Sequence, residues 1–173
     1  PLISKKDSGN LDSIYTRITV PDELKNDHLF EPSGATYVSD LNKYLFVSDD
    51  TNEDRPIVNI LNQDGSIDNH IIEVDGLEQI KDMESIVQDE KGMIYISSSL
   101  SLSKKNKISE ARKQFVRLKR DGLNLKLTGK INLYDKLNEL AKLNKTQSWV
   151  KLLRNPNTDK LSKYFILLDV EGI

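Results

Sequence analysis

The sequence predicts a mostly β chain whose strands come in groups of four, interrupted by one short helical stretch. Three observations carry this. Short runs of β-branched and aromatic residues recur between residues 14 and 133, each about the length of a strand. Asp64-Gly65 and Asp121-Gly122 separate apolar runs, and Asp-Gly in that setting is the strongest short-range hairpin signal. The period then changes near residue 135, where Leu137, Leu140 and Leu143 mark one face of a helix.

In chain order, residues 1–10 are polar and read as loose. Ile14 to Val20 alternate and predict a strand, ended by Pro21-Asp22. Four strands follow at 35–38, 44–48, 57–62 and 67–74, with turns at Ser39–Lys43 and Gln63–Ser66. A second set is expected at 85–88, 93–97, 114–119 and 123–133, with turns at Asp89–Gly92 and Arg120–Gly122. The Ser/Lys-rich stretch 98–110 reads as a long loop. Residues 135–144 predict a helix with Asp135 near its N-cap and Asn144 at its end. A second short helix is expected at 146–153, carrying Trp149 and broken by Asn155-Pro156, before a strand at 163–168.

The two sets of strands start alike. Glu31-Pro-Ser-Gly34, Asp82-Met-Glu-Ser85 and Asp169-Val-Glu-Gly172 share an acid, a spacer, Ser or Glu, and a small residue. The first two motifs begin 51 residues apart, at 31 and 82. A repeat of about 50 residues in four antiparallel strands is the blade of a β-propeller. The expected organisation is an N-terminal strand and loop at 1–30, possible closure for a last blade, then a blade at 31–81 and another at 82–134. A helical insertion at 135–164 and the start of a further blade at 165–173 complete it. A closed propeller takes about four blades or more, so this count implies a fragment, with the remaining blades in the same parent chain or another chain.

Composition narrows the chemistry. The 173 residues carry 25 Lys and Arg against 27 Asp and Glu, a formal charge of −2. That balance argues against nucleic-acid binding by bulk charge. Cysteine is absent, so disulfide scaffolds, thiolate metal sites and Cys nucleophiles are excluded. Two histidines, His28 and His70, are too few for a multi-histidine metal site. No run approaches the roughly 18 apolar residues of a membrane span.

The motifs also carry a resemblance. Glu31-Pro-Ser-Gly-Ala-Thr-Tyr-Val and Tyr44-Leu-Phe-Val-Ser-Asp-Asp50 resemble the opening of the phytase-like bacterial propellers, a group that includes the SdiA-regulated proteins. Asp82-Met-Glu-Ser-Ile-Val resembles their D-L-E-G-I-A blade start, with Ser85 where glycine is usual. Ser97-Ser-Ser, the basic loop and Ala111-Arg112-Lys-Gln-Phe-Val resemble most closely an uncharacterised propeller family of that group. The resemblance covers residues 31–134 and 165–173. It implies calcium on or near the propeller axis and a bacterial protein exported to the periplasm or the extracellular space, with a cytoplasmic setting still open.

Acids repeated at blade starts converge towards the axis, where they repel one another unless a cation joins them. The candidate Ca²⁺ ligands are Glu31, Asp82, Glu84, Asp169 and Glu171, joined by Asp49 and Asp50 of the acidic run 49–54. Two plainer readings stand beside this: blade-start acids that accept backbone N–H bonds, and a solvated acidic loop lacking EF-hand spacing. The basic run 104–120 supplies Lys105 and Arg112, and with Ser97 these are the candidates for binding a small anion. Arg112 leads because it matches the family-like position before a strand. A solvated basic face is the alternative. The function these features suggest is a calcium-binding propeller that binds or hydrolyses a small anionic, phosphoester-like ligand. The alternative is a non-catalytic scaffold that recognises a protein or an envelope component.

Overall fold

The structure, a computed structural model, describes residues 18–22, 31–49, 51–100 and 109–143. Within them the fold is mostly β, with eight strands and one helix. The first four strands are β1 (Pro32–Val38), β2 (Lys43–Ser48), β3 (Ile57–Asn62) and β4 (Ile72–Asp75). The second four are β5 (Met83–Gln88), β6 (Ile94–Ser98), β7 (Gln114–Asp121) and β8 (Asn124–Asn132), followed by α1 (Leu133–Leu143). Each set is an antiparallel meander. A short parallel ladder, Val74 with Leu125 and Asp75 with Lys126, joins β4 to β8. The sheet therefore runs β1-β2-β3-β4-β8-β7-β6-β5 and is nearly closed, because β1 packs against β5.

The two meanders repeat one another in detail. Each first strand carries a register shift at the same place, between Pro32 and Gly34 in β1 and between Met83 and Ser85 in β5. These bulges make Ser33 and Glu84 equivalent, as the tetrapeptide alignment expects. Each meander also ties the residue after its second strand to the residue before its first. Asp49 N donates to the Glu31 carbonyl at 2.9 Å, and Ser99 N donates to the Asp82 carbonyl at 2.8 Å.

Alternation puts Thr36, Val38, Leu45, Val47, Val58 and Ile60 on one face of the first meander. On the second, Ile86, Ile94, Ile96, Val116 and Leu118 share a face. The buried members of these two sets form one core cluster. Side chains such as Leu45, Ile60, Ile96 and Leu118 are essentially fully buried, each a contribution of about 1.5–3 kcal/mol. The contact is head to tail, because Ile86 and Ile96 in the second meander are equivalent to Ala35 and Phe46 in the first, and those lie on the face opposite Leu45. A two-fold sandwich would instead bring like faces together.

Several elements differ from the sequence expectation. β1 and β5 begin earlier than Ala35 and Ser85 because the bulges let the acidic motifs join the ladders. The strand expected at 67–74 is only Ile72–Asp75, with Ile67 held by an isolated bridge to Leu61. Asp68 interrupts it by accepting the His70 N–H at 3.0 Å, a local turn that competes with the ladder. The helix begins at Leu133, and its cap is Asn132, whose Oδ1 accepts the Asp135 N–H at 3.0 Å, rather than Asp135. Of the strand expected at 14–20, only 18–20 are described. There Thr19 N donates to the Gly65 carbonyl at 2.7 Å beside the β3–β4 turn. The helix expected at 146–153, the strand at 163–168 and the motif at 169–172 lie outside the described residues. Among the described residues, no helix is long and apolar enough to cross a membrane.

Candidate cation site at the seam between the repeats

β1 and β5 approach so closely that their backbones touch. A Cβ on Gly34 would stand 2.8 Å from Ser85 Cα and 2.9 Å from the Glu84 carbonyl oxygen. Ser33 Oγ crosses the seam to donate to the Met83 carbonyl. Further along β1, Thr36 Oγ1 accepts the Gln88 N–H of β5 at 3.2 Å. This contact decides which carboxylates meet.

Asp49 leaves the end of β2, Asp82 precedes β5, and Glu84 occupies the β5 bulge. Each offers a carboxylate oxygen, and those oxygens all lie within 4.8 Å of one another. Asp82 is buried and its backbone is left-handed, at φ 55°. Asp49 and Glu84 are half-buried, and Asp49 Oδ1 is shielded from solvent. Two neighbours already serve Asp82. Ser99 Oγ donates to its Oδ2 at 2.5 Å, and Arg112 Nη1 forms an ion pair with the same oxygen. The 3₁₀ turn Glu110–Arg112 presents that guanidinium, and the Leu100 N–H anchors the turn on the Arg112 carbonyl at 3.2 Å.

Three carboxylates converge beside the Arg112 guanidinium in a partly desolvated place, where like charges disfavour one another unless cations join them. Oxygens around a Ca²⁺ ion, each at about 2.3–2.6 Å, lie up to about 5 Å from one another. The spacing of Asp49, Asp82 and Glu84 fits that limit. Hard oxygen donors without His or Cys match calcium or magnesium rather than zinc.

The seam brings together Asp49, Asp82 and Glu84 from the expected ligands. Glu31 is exposed and stands outside this group, and its carbonyl rather than its carboxylate contributes, by holding Asp49. Asp50, Asp169 and Glu171 lie outside the described residues, as do Lys105 and His28. Arg112 is in place beside the acids, but its guanidinium engages Asp82. Ser97 is fully buried and donates to the Ser98 carbonyl at 3.0 Å. The acidic run 49–54 divides: Asp49 enters the seam, while Asp54 pairs with Lys81 at 2.6 Å. Ser99 is the residue that choosing Ser97 from the serine triplet passes over. Its signal is positional, since Ser99 and Asp49 each follow the second strand of a repeat.

At the other end of the seam, Arg120 reaches both carboxylate oxygens of Asp40, at 2.7 and 2.8 Å. That hydrogen bonding holds the Asp40 carboxyl below its usual range. No family model and no curated protein matches the chain.

Proposed function

We propose that the two meanders are successive blades of a β-propeller and that their seam binds Ca²⁺ through Asp49, Asp82 and Glu84. The observation that carries the cation site is the convergence of three carboxylates contributed by two different repeats. The observation that supports the propeller is the head-to-tail packing of equivalent strands, the relation between neighbouring blades in a ring. The resemblance of Glu31–Gly34 and Asp82–Ser85 to phytase-like blade starts points the same way.

Bound calcium would give a small anionic, phosphoester-like ligand a Lewis acid and, if the protein is a hydrolase, an activated water. Arg112 contributes to anion binding only by exchanging Asp82 for the ligand. A second reading rests on that pairing. Arg112 and Ser99 already compensate Asp82, so the seam can serve as a structural clamp in a non-catalytic scaffold.

A calcium titration of the thermal midpoint, with EDTA as control, separates the two. Ligand at a hundred times Kd stabilises by about 2.7 kcal/mol, a rise of about 5–10 °C for a chain of this size. Asp49→Asn and Glu84→Gln should each abolish most of that rise. No response to Ca²⁺ overturns the cation site and leaves the clamp.

A further inference from the structure

Two repeats built on one strand plan face a problem of choice while they fold. Each meander has the bulged first strand and the register of the other, so a repeat can meet the equivalent repeat of another chain. Misassembly and domain swapping of this kind are characteristic failures of repeat proteins. Similar backbones do not discriminate between partners, whereas a charged contact at the junction does.

One such contact joins the repeats at the end of the seam away from the carboxylates. Arg120, near the end of β7, donates from Nη2 to both oxygens of Asp40 in the β1–β2 turn, at 2.7 and 2.8 Å. Its Nη1 donates to the Gly122 carbonyl at 3.0 Å, which fixes the guanidinium on its own hairpin. The Arg120 side chain is 10% exposed and that of Asp40 is 61% exposed.

The register shows what the other repeat carries at these positions. In the first turn the Leu41 N–H donates to the Val38 carbonyl, and in the second the Gly92 N–H donates to the Asp89 carbonyl. Lys91 therefore stands where Asp40 stands. Tyr44 pairs with Leu61, and Ile94 pairs with Leu118. Two residues further on, Gln63 stands where Arg120 stands, and both strands run on into Asp-Gly. The native junction sets an acid against a base. The second repeat joined to a copy of itself would set Lys91 against Arg120, a like-charge pair. The first joined to a copy of itself would set Asp40 against Gln63, and the reverse order would set Lys91 against Gln63. Gln63 is neutral and is held within its own repeat, donating to Asn42 Oδ1 at 2.7 Å and to the Tyr37 hydroxyl at 3.2 Å. Only the native order makes an attractive pair.

We propose that Asp40 and Arg120 form a charge key that selects the order in which the repeats join, and that Lys91 excludes the second repeat from joining a copy of itself. The key needs no bound cation, so it stands apart from the proposed calcium site.

The test is refolding of the full chain from urea across micromolar concentrations, with recovered circular dichroism as the readout. Arg120→Glu sets like charges at the native junction and makes Lys91 attractive to the wrong one. Its recovery should fall with concentration more steeply than that of wild type. Adding Asp40→Lys should restore the wild-type dependence. Adding Lys91→Glu should also flatten it, although Lys91 has no place in the native junction. Sodium chloride at about 1 M, where the screening length is about 3 Å, should shrink these differences. Asn132→Ala, which removes the helix cap, controls for loss of stability and should keep the wild-type dependence. If Arg120→Glu refolds at no concentration, Asp40→Lys takes its place. There Lys91→Glu should deepen the loss, because an acid at position 91 then attracts Arg120. A first variant that recovers like wild type, a loss that Lys91→Glu leaves unchanged, or the same loss in Asn132→Ala overturns the proposal.

Discussion

Replacing Gly34 with alanine probes the seam directly. The new methyl group would stand 2.8 Å from Ser85 Cα, 2.9 Å from the Glu84 carbonyl oxygen and 3.1 Å from the Ile86 nitrogen. All three are backbone atoms of β5, so no flexible side chain can swing aside, and β1 and β5 must separate. Overpacking of this kind costs about 1–3 kcal/mol. The alanine also lowers the entropy of the unfolded chain, which returns about 0.4–1 kcal/mol. The net loss is up to about 2.6 kcal/mol and centres near ~1.3 kcal/mol, a fall in thermal midpoint of about 3–5 °C at the centre of the range for a domain of this size. Gly129→Ala is the matched control. Its methyl would meet Arg117 side-chain atoms no closer than 3.7 Å, so it should be neutral or gain up to about 1 kcal/mol. Thermal denaturation followed by circular dichroism reads both. Separation of the strands also moves Glu84 away from Asp49, so the calcium-dependent rise should shrink in Gly34→Ala alone. Equal midpoints for the two variants would refute direct backbone contact between β1 and β5, and with it the physical basis of the seam.

Arg112→Ala removes the guanidinium from a carboxylate whose side chain is only 9% exposed. The loss should reach about 3–5 kcal/mol, and added Ca²⁺ should restore part of it; a loss under about 1 kcal/mol would show that the pair does not anchor the seam. Asn132→Ala deletes the cap of α1 and should cost about 1 kcal/mol, read as a lower midpoint in urea with an unchanged slope. Acid should destabilise the fold in a defined window. Hydrogen bonds from Arg120, from Ser66 and from the His70 N–H hold Asp40, Asp64 and Asp68 respectively below the ordinary value of 3.8. Groups depressed in the folded state stabilise it fully above their unfolded value, and that stability is lost as pH falls through the folded one. The thermal midpoint should therefore hold near neutrality and drop only below about pH 5, and Asp40→Asn should make the drop shallower. A steep loss already at about pH 6 would place the controlling groups elsewhere.

Much of the local structure was legible in the residues. β-branched runs and Asp-Gly turns located nearly every described strand to within a few positions, because strand period and turn chemistry are local properties. The helix was legible from its leucine spacing, but its cap was not. Asn132 and Asp135 are both good capping residues, and only the end of β8 decides which one the chain reaches first. The break at Asp68 was hidden for a similar reason, since an alternating pattern does not show that an aspartate will bond to its own backbone.

The repeat of Glu31–Gly34 in Asp82–Ser85 was determined by the sequence alone, and so was the expectation that acids gather where repeats begin. Which acids meet was decided only by the tertiary structure. Side-chain direction in a strand alternates with every residue, so one extra residue at a bulge reverses it. The bulges at Ser33 and Glu84 set that parity, and the close approach of Gly34 to Ser85 sets the distance. Together they bring Asp49 to Asp82 and Glu84 and keep Glu31 in solvent. Arg112 follows the same logic. It reads as an anion-binding residue along the chain and becomes the partner of Asp82, 30 positions away, once the strands are packed. Contacts between distant positions depend on how faces meet, and periodicity within one strand carries no information about that.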